Sequence, residues 1–461
     1  MLGFYRESAI AASIEDVFAY HARAGALERL TPPWEPLTVI ERNGTIANRG
    51  EVKAKLFPGL EVVARHTDYE PPLLFRDEQA RGPFSSWRHT HRFEAIGAER
   101  TKLIDEIEYA LPFGSLGALI AGRAVSRRLD RMFTYRHTVT ALDNERMAWA
   151  KPFGTKRVAV TGASGLLGRA LCRFLTLAGH EVLPVVRTSS SSPPPQTPHL
   201  AWDPAAGTID SAGFEGIDAV VHLAGEPIGH KRWTPEFRQL VLASREQGTR
   251  LIARTLARLQ RPPSVFVSAS AVGYYGNGGD AWLDEDAPSG EGYLAEVCRH
   301  WEAASLEATP VRTVVVRIGL VLSLSGGPLV DILRPFRWGV GLHFGSGRQF
   351  MPWIGIDDVV GAIHHALFDA SVVGPVNLVA PAPERNRDFM SILGAVLGRP
   401  AWAKAPAFAL RAALGGQKAD ELLLSGQRLR PRKLQAAGFR FLHAELEPAL
   451  RHLLGRAGRD G

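Results

Sequence analysis

Three glycines near the middle of the chain, Gly162, Gly165 and Gly168, carry the spacing and setting in which a backbone cradles a pyrophosphate. The stretch from Arg157 to Ser189 reads as strand, glycine turn, helix and second strand. Val158 and Val160 lie in an uncharged β-branched run, as a buried parallel strand requires. The helix repeats apolar residues at Leu167, Leu171, Phe174, Leu175 and Ala178 and stops at Gly179. One glycine permits the sharp exit from the strand, one lets the backbone approach the pyrophosphate, and one lets helix and strand pack closely. Ser164, Leu166 and Leu167 fill the turn and the helix start, where free N–H groups and the positive dipole end face the phosphates.

The residue after the second strand selects the dinucleotide. An acid there would bind a ribose 2′-hydroxyl, whereas a guanidinium suits a 2′-phosphate. This chain has Arg187 followed by Thr188, Ser189 and Ser190, so the expected cofactor is NADP(H). Asp203, at the end of a short third strand, is expected at the adenine edge. Leu223, Ala224, Gly225 and Glu226 follow a fourth strand, where small residues let the chain pass close to ribose and phosphate. Ser268, Ser270, Tyr274 and Tyr275 close a fifth strand; Ser268 joins the cofactor set, and Ser270 and Tyr274 are the catalytic candidates. His230, Lys231, Arg232 and Trp233 offer either an anion-binding loop for the substrate or a solvated charge cluster.

The elements that must position these residues fit a chain of 461 residues, long enough for two or three domains. A hydrophobic content of 45% and a charged content of 22% are those of a globular protein. The net charge is +7, but the basic residues are scattered and form no stripe, so nucleic acid is not an expected partner. Cys172 and Cys298 are the only cysteines and make neither a disulfide framework nor a zinc spacing. There is no signal-peptide pattern at the N-terminus and no apolar run of membrane-spanning length, so a cytoplasmic protein without a membrane partner is expected.

Residues 1–146 have a different rhythm from the rest. An early helix begins after Ser13 as N-cap, TPPWEP breaks it, and strand-like runs follow through TKLIDEIEYA. A long helical stretch then spans about Leu116 to Leu142, which makes an α+β domain. His89 and His91 share a strand face and invite a metal reading, but no third ligand is visible nearby, so no metal is assigned. The early helix, FRDEQARGPFSSWRHTHRFE and IDEIEYALPFG resemble the SRPBCC, or START-like helix-grip, superfamily. That resemblance implies a curved sheet wrapped round the last helix and room for an apolar ligand. Residues 147–156 read as a linker.

Beyond it, residues 157–404 read as a Rossmann-type, doubly wound parallel sheet, and residues 405–461 as a small helical subdomain; no internal repeat is found. The stretch TPEFRQLVLASREQGTRLIARTLARL reads as a long amphipathic helix, broken or curved, and Asp357 as a later N-cap. The strings TGASGLLG, LAGEPIGHKRW, SREQGTRLI, SASAVGYYG, MPWIGIDDVVGAI and SGQRLRPRKLQAAGFRF resemble the extended short-chain dehydrogenase/reductases of the NAD(P)-dependent epimerase/dehydratase superfamily. More narrowly they resemble its atypical branch with a DUF1731 C-terminal piece.

That resemblance implies NADP(H) and a Tyr-x-x-x-Lys pair on the helix after the fifth strand, with a serine such as Ser270 at the strand end. With Glu302 as register mark, Leu294 falls where Tyr belongs and Cys298 where Lys belongs. Either another group moves the proton, with Tyr274, Tyr275, Glu226 and Lys231 as candidates, or water does, or the domain binds cofactor without turnover. The leading reading is an NADP(H)-dependent oxidoreductase or epimerase-like enzyme acting on a small molecule, for which an anion would fit. The alternative is a non-catalytic NADP(H)-binding regulator, a class kept open by relatives linked to cell division.

Overall fold

The computed structural model describes residues 1–57, 59–188, 198–229 and 231–456. Ser189 and His230 lie outside the described residues. The chain divides into two units, one of Met1–Gly154 with Thr176–Ala178 and Arg451–Gly461, the other of Thr155–Leu175 and Gly179–Leu450.

In the first unit a strand that sequence reading did not mark, β1 (Leu2–Ile10), precedes helices α1 (Ile14–Ala22) and α2 (Ala26–Leu30). Ser13 caps α1 as expected, its Oγ accepting from Asp16 N at 3.2 Å. Six strands follow: β2 (Thr38–Asn43), β3 (Glu51–Phe57), β4 (Leu60–Glu70), β5 (Leu74–Arg81), β6 (Ser86–Gly97) and β7 (Arg100–Ala110). The antiparallel sheet runs β1-β7-β6-β5-β4-β3-β2, so the first strand closes on the last. Helix α3 spans Gly114–Ala150, and its last four residues take up the start of the stretch expected as linker. This is the helix-grip layout. Its buried face holds one apolar cluster around Phe18, Phe75 and Phe93 and another around Ile107, Tyr109 and Phe133.

The second unit starts with β8 (Arg157–Thr161), α4 (Leu166–Leu177), β9 (Glu181–Arg187) and the hairpin β10 (Leu200–Asp203) and β11 (Thr208–Ile209). Next come β12 (Ala219–His222), α5 (Pro235–Leu256), β13 (Val265–Ala271), the short β14 (Trp282–Leu283), α6 (Tyr293–Ser305) and β15 (Arg312–Ile318). The sheet order is β11-β10-β9-β8-β12-β13-β15, closed by the strand Gly374–Leu378, and only β11 is antiparallel. Strand order therefore reverses between β8 and β12, where a doubly wound sheet opens a crevice for its ligand. Val158, Ala159, Val160, Val220, Val221 and Phe266 are fully buried, which is why these strands read as unbroken apolar runs.

Two local expectations change. Helix α5 is continuous from Pro235 to Leu256, with Gly248 packed towards the Trp202 ring, where an added Cβ would stand 3.5 Å away in ordinary contact. The later helix spans Ile356–Phe368 with Gly355 as N-cap, so Asp357 sits inside the first turn. Short helices, including Ala407–Leu414 and Arg432–Ala436, build the C-terminal piece. Among the described residues no helix is long and apolar enough to cross a membrane.

Candidate cofactor and active site

The crevice is built by glycines whose missing side chains do different things. Gly162 takes φ +66°, and a Cβ on it would lie 2.9 Å from Ala224 N and from the Leu223 carbonyl. The turn after β8 and the chain leaving β12 therefore touch backbone to backbone. A Cβ on Gly168 would collide with the Gly162 carbonyl, so this residue sets how closely α4 meets the turn. A Cβ on Gly165 would meet only Gly162 O, at 3.1 Å, and otherwise point into open space. Ser164 and Gly165 are exposed at the N-terminus of α4. This is a cradle that a side chain would fill, and the residues fit a dinucleotide pyrophosphate.

A buried polar thread fixes the crevice floor. Thr161 Oγ1 accepts from Leu223 N at 3.1 Å and from Ala224 N at 3.2 Å. Its own hydrogen is then donated to His222 Nδ1, 2.7 Å away, and His222 Nε2 donates to Thr249 Oγ1 at 3.0 Å. Burial drives the His222 pKa down to about 3, so the ring is neutral and serves as a spacer. Ser268 pairs with His222 across the strands and is wholly buried.

Arg187 ends β9 exposed, and among the described residues no carboxylate pairs with it. Asp203 ends β10, and its Oδ1 accepts from Ala205 N at 3.0 Å and Ala206 N at 3.2 Å, so that oxygen caps its own turn. Glu226 pairs with Lys231 at 3.1 Å, while Lys418 from the C-terminal piece holds the Gly229 and Lys231 carbonyls.

A residue that sequence reading did not single out is Arg245 on α5. Its guanidinium lies over the Trp301 ring at 4.9 Å and donates to Glu226 O at 3.1 Å. A Cβ on Gly225 would be 3.6 Å from its Cζ. Burial holds its pKa below the usual arginine value. The only hint in the sequence was its place in the SREQGTRLI string.

The helix that should carry the Tyr–Lys pair has neither group at the expected register positions, Leu294 and Cys298. Leu294 packs on the turn after β13, and its N–H and that of Tyr293 are accepted by Glu421 at 2.8 and 3.1 Å. Cys298 is buried, with Sγ 3.5 Å from Ala271 O. Burial and then Glu302 push its thiol up to about 11. Tyr293, one step off register, donates to Arg238 O at 2.8 Å, and burial raises its pKa to about 12.

Ser270 is engaged where it stands. Its Oγ donates to Glu302 Oε1 at 2.7 Å, and Arg317 grips both Glu302 oxygens from Nε and Nη2 at 2.9 Å each. Arg317 also donates to Tyr275 Oη at 2.9 Å, which donates to Asn377 Oδ1 at 2.7 Å. Burial lifts the Tyr275 pKa to about 12, which makes it part of the scaffold. Arg317 stacks on the Tyr274 ring at 3.5 Å, and among the described residues the Tyr274 hydroxyl has no hydrogen-bond partner.

Fold and turn define a dinucleotide-binding α/β protein of the extended Rossmann class, with a helix-grip domain ahead of it. The NAD dependent epimerase/dehydratase model matches residues 158–378, a domain of unknown function (DUF1731) matches 405–453, and a polyketide cyclase/dehydrase and lipid transport model matches 10–138. An epimerase family protein of Mycobacterium tuberculosis is 40% identical over 303 residues, 65% of this chain and 98% of its own length, and the chain belongs to this epimerase family. The human epimerase family protein SDR39U1, crystallised with NADPH, is 38% identical, with a TM-score of 0.59 over 64% of this chain and 98% of its own. A nucleoside-diphosphate sugar epimerase from Corynebacterium glutamicum is 31% identical, with a TM-score of 0.79 over 98% of this chain and 90% of its own.

Proposed function

We propose that the second unit is an NADP(H)-dependent oxidoreductase of the epimerase type, acting on a small hydroxyl- or carbonyl-bearing substrate. The observation that carries this reading is the open Gly165 cradle at the strand-order reversal, together with the exposed Arg187 at the end of β9. The human relative's NADPH supports it. Gly162, Gly165 and Gly168 and the α4 N-terminus hold the pyrophosphate, and Arg187 grips the 2′-phosphate. When bound, the cofactor supplies or accepts a hydride. Arg245 beside Gly225 takes over the cationic place that Cys298 leaves empty. Tyr274 presents the hydroxyl that moves the substrate proton, since those of Ser270, Tyr275 and Tyr293 are already donated elsewhere.

One observation favours the second reading, a cofactor-binding regulator: the Ser270 hydrogen is committed to Glu302. The deciding experiment is NADPH and NADH titration, followed by a screen of carbonyl compounds and nucleotide sugars read by NADPH absorbance. NADPH binding with turnover that falls in Tyr274→Phe supports the enzyme. Tight NADPH binding with no turnover across the screen supports the regulator, and no NADPH binding rejects both. For the first unit the family model supports an apolar ligand.

A further inference from the structure

The first unit buries a set of imidazoles and carboxylates that neither reading uses. Cross-strand register assembles it. Asp77 on β5 is the direct partner of His89 on β6, and His91 is the partner of Asp105 on β7. Inward-facing residues alternate along each strand, so all four share the face turned to α3. His137 reaches in from α3, its Nε2 2.7 Å from Asp105 Oδ2 and its Nδ1 2.9 Å from Ser8 Oγ. His89, His91, Asp105 and His137 are each at least 95% buried.

Each imidazole on β6 has an Asp on either side, and the two sides differ. Towards Asp105 the approach is close: His89 Nε2 and His91 Nδ1 both lie 2.7 Å from Oδ1. The His89 contact is a hydrogen bond, whereas the angle at His91 Nδ1 leaves that nitrogen without one. Towards Asp77 the spacing is wider, with Oδ1 3.5 Å from His89 Nδ1 and 3.7 Å from His91 Nε2. Those distances exceed the roughly 3.2 Å limit of a good N–H···O bond. They match the ~3.4 Å edge between two ligands that sit about 2.1 Å from one tetrahedral cation. One ligand atom from each of Asp77, His89 and His91 lies within 4.8 Å of the other two.

We propose that Asp77 Oδ1, His89 Nδ1 and His91 Nε2 are the protein ligands of a divalent transition-metal ion bound inside the helix-grip domain. Asp105 is the supporting carboxylate behind them. Ligating histidines characteristically give their second ring N–H to a carboxylate, and Asp105 Oδ1 lies 2.7 Å from the second nitrogen of each ring, with hydrogen-bond geometry at His89. On the opposite side the His89 Nδ1 and His91 Nε2 edges face Asp77 Oδ1 at distances too long for good hydrogen bonds. A cation held between these atoms fills that wide spacing and balances the half-buried Asp77 and buried Asp105 carboxylates. Imidazole and carboxylate together suit zinc or ferrous iron, and three protein ligands leave a coordination position open. The sequence offered His89 and His91 but hid the third ligand, which comes from another strand.

The test uses the full chain, stripped with chelator, dialysed and titrated with Co²⁺ and then with Zn²⁺ in competition. One equivalent of Co²⁺ should bind with visible d–d absorption that Zn²⁺ abolishes. Asp77→Asn and His91→Gln should lose it, and Asp105→Asn should weaken it about 10- to 100-fold. NADPH affinity should be unchanged in all three variants and reports that the second unit is folded. If a variant does not fold, imidazole ¹⁵N NMR of the unaltered protein decides. Co²⁺ should broaden the His89 and His91 signals first. Absence of bound Co²⁺, binding that survives Asp77→Asn, or unshifted His89 and His91 signals would each overturn the site.

Discussion

The two sides of the crevice in the second unit are built on opposite plans. On the cofactor side, between β8 and β12, the structure is made by missing side chains: Gly162 and Gly168 let backbones touch, and Gly165 leaves open space. On the far side, between β13 and β15, polar side chains crowd together and satisfy one another, from Ser270 through Glu302 and Arg317 to Tyr275 and Asn377. An open polar surface awaits a ligand, whereas a closed network holds a shape. The Asp77, His89 and His91 group of the first unit is a third case, in which the groups face one another across distances too long for good hydrogen bonds. Closure of the hydrogen-bond account therefore separates scaffold from site better than residue type does.

The largest effect should come from filling the open side. Gly165→Val places a branched side chain in the cradle and should abolish detectable NADPH binding in calorimetry. The fold should persist, because the added Cβ meets only one backbone atom. A folded variant with undiminished affinity would move the dinucleotide elsewhere. Breaking the closed side should cost stability first. Arg317→Met strands the Glu302 carboxylate, whose side chain is 12% exposed. Removing one partner of such a pair costs about 3–5 kcal/mol. Denaturant unfolding should show that loss, and a loss below about 1 kcal/mol would mean the network is not closed.

The same contrast explains what could be read from the sequence. The glycine turn was legible because its parts lie within seven consecutive residues, Gly162 to Gly168, and the turn is local. The far side was not. Ser270, Arg317 and Asn377 are neighbours only because β13, β15 and the last strand pair in one register, Ser270 with Arg317 and Arg317 with Asn377. Asp77 met His89 by the same route. Spacing along a chain reports helix faces and turns, and it carries no information about which distant strand lies alongside. The stretch TPEFRQLVLASREQGTRLIARTLARL misled in the other direction: a break or curve was expected, and the structure has one continuous helix, Pro235–Leu256. Asp203 ends the third strand as expected, and its Oδ1 also caps the following turn, a local role that sequence reading did not assign.

Arg187 sharpens the comparison from the cofactor side, since it is a charge with no partner among the described residues. Arg187→Asp removes a charge-assisted contact worth about 1.5–3 kcal/mol and adds repulsion. NADPH should bind at least about tenfold more weakly, while NADH is unaffected or improved. Equal affinities of the unaltered protein for NADPH and NADH would refute the assignment to the 2′-phosphate.

The smallest effect should come from Cys298, which occupies the position of the usual lysine. Its thiol is buried, with a long contact to Ala271 O, and it carries no charge at neutral pH, because burial and Glu302 push its pKa up to about 11. Such a group can neither act as a cation towards a ribose nor react as a thiolate. Cys298→Ala should leave NADPH affinity within about twofold and cost about 1 kcal/mol or less, since only one sulfur atom is lost. The pH dependence gives a finer test. A pKa raised on folding means that the unfolded chain ionises first. The stability owed to the neutral thiol is therefore complete below about 8.5 and is lost as pH rises through about 11. Between those values the unaltered protein should lose stability faster than Cys298→Ala, and the two curves should run parallel below pH 8 in urea unfolding. Parallel curves across the whole range would show a thiol that ionises equally well folded and unfolded. Loss of NADPH binding in a folded Cys298→Ala protein would return this position to the cofactor side of the crevice.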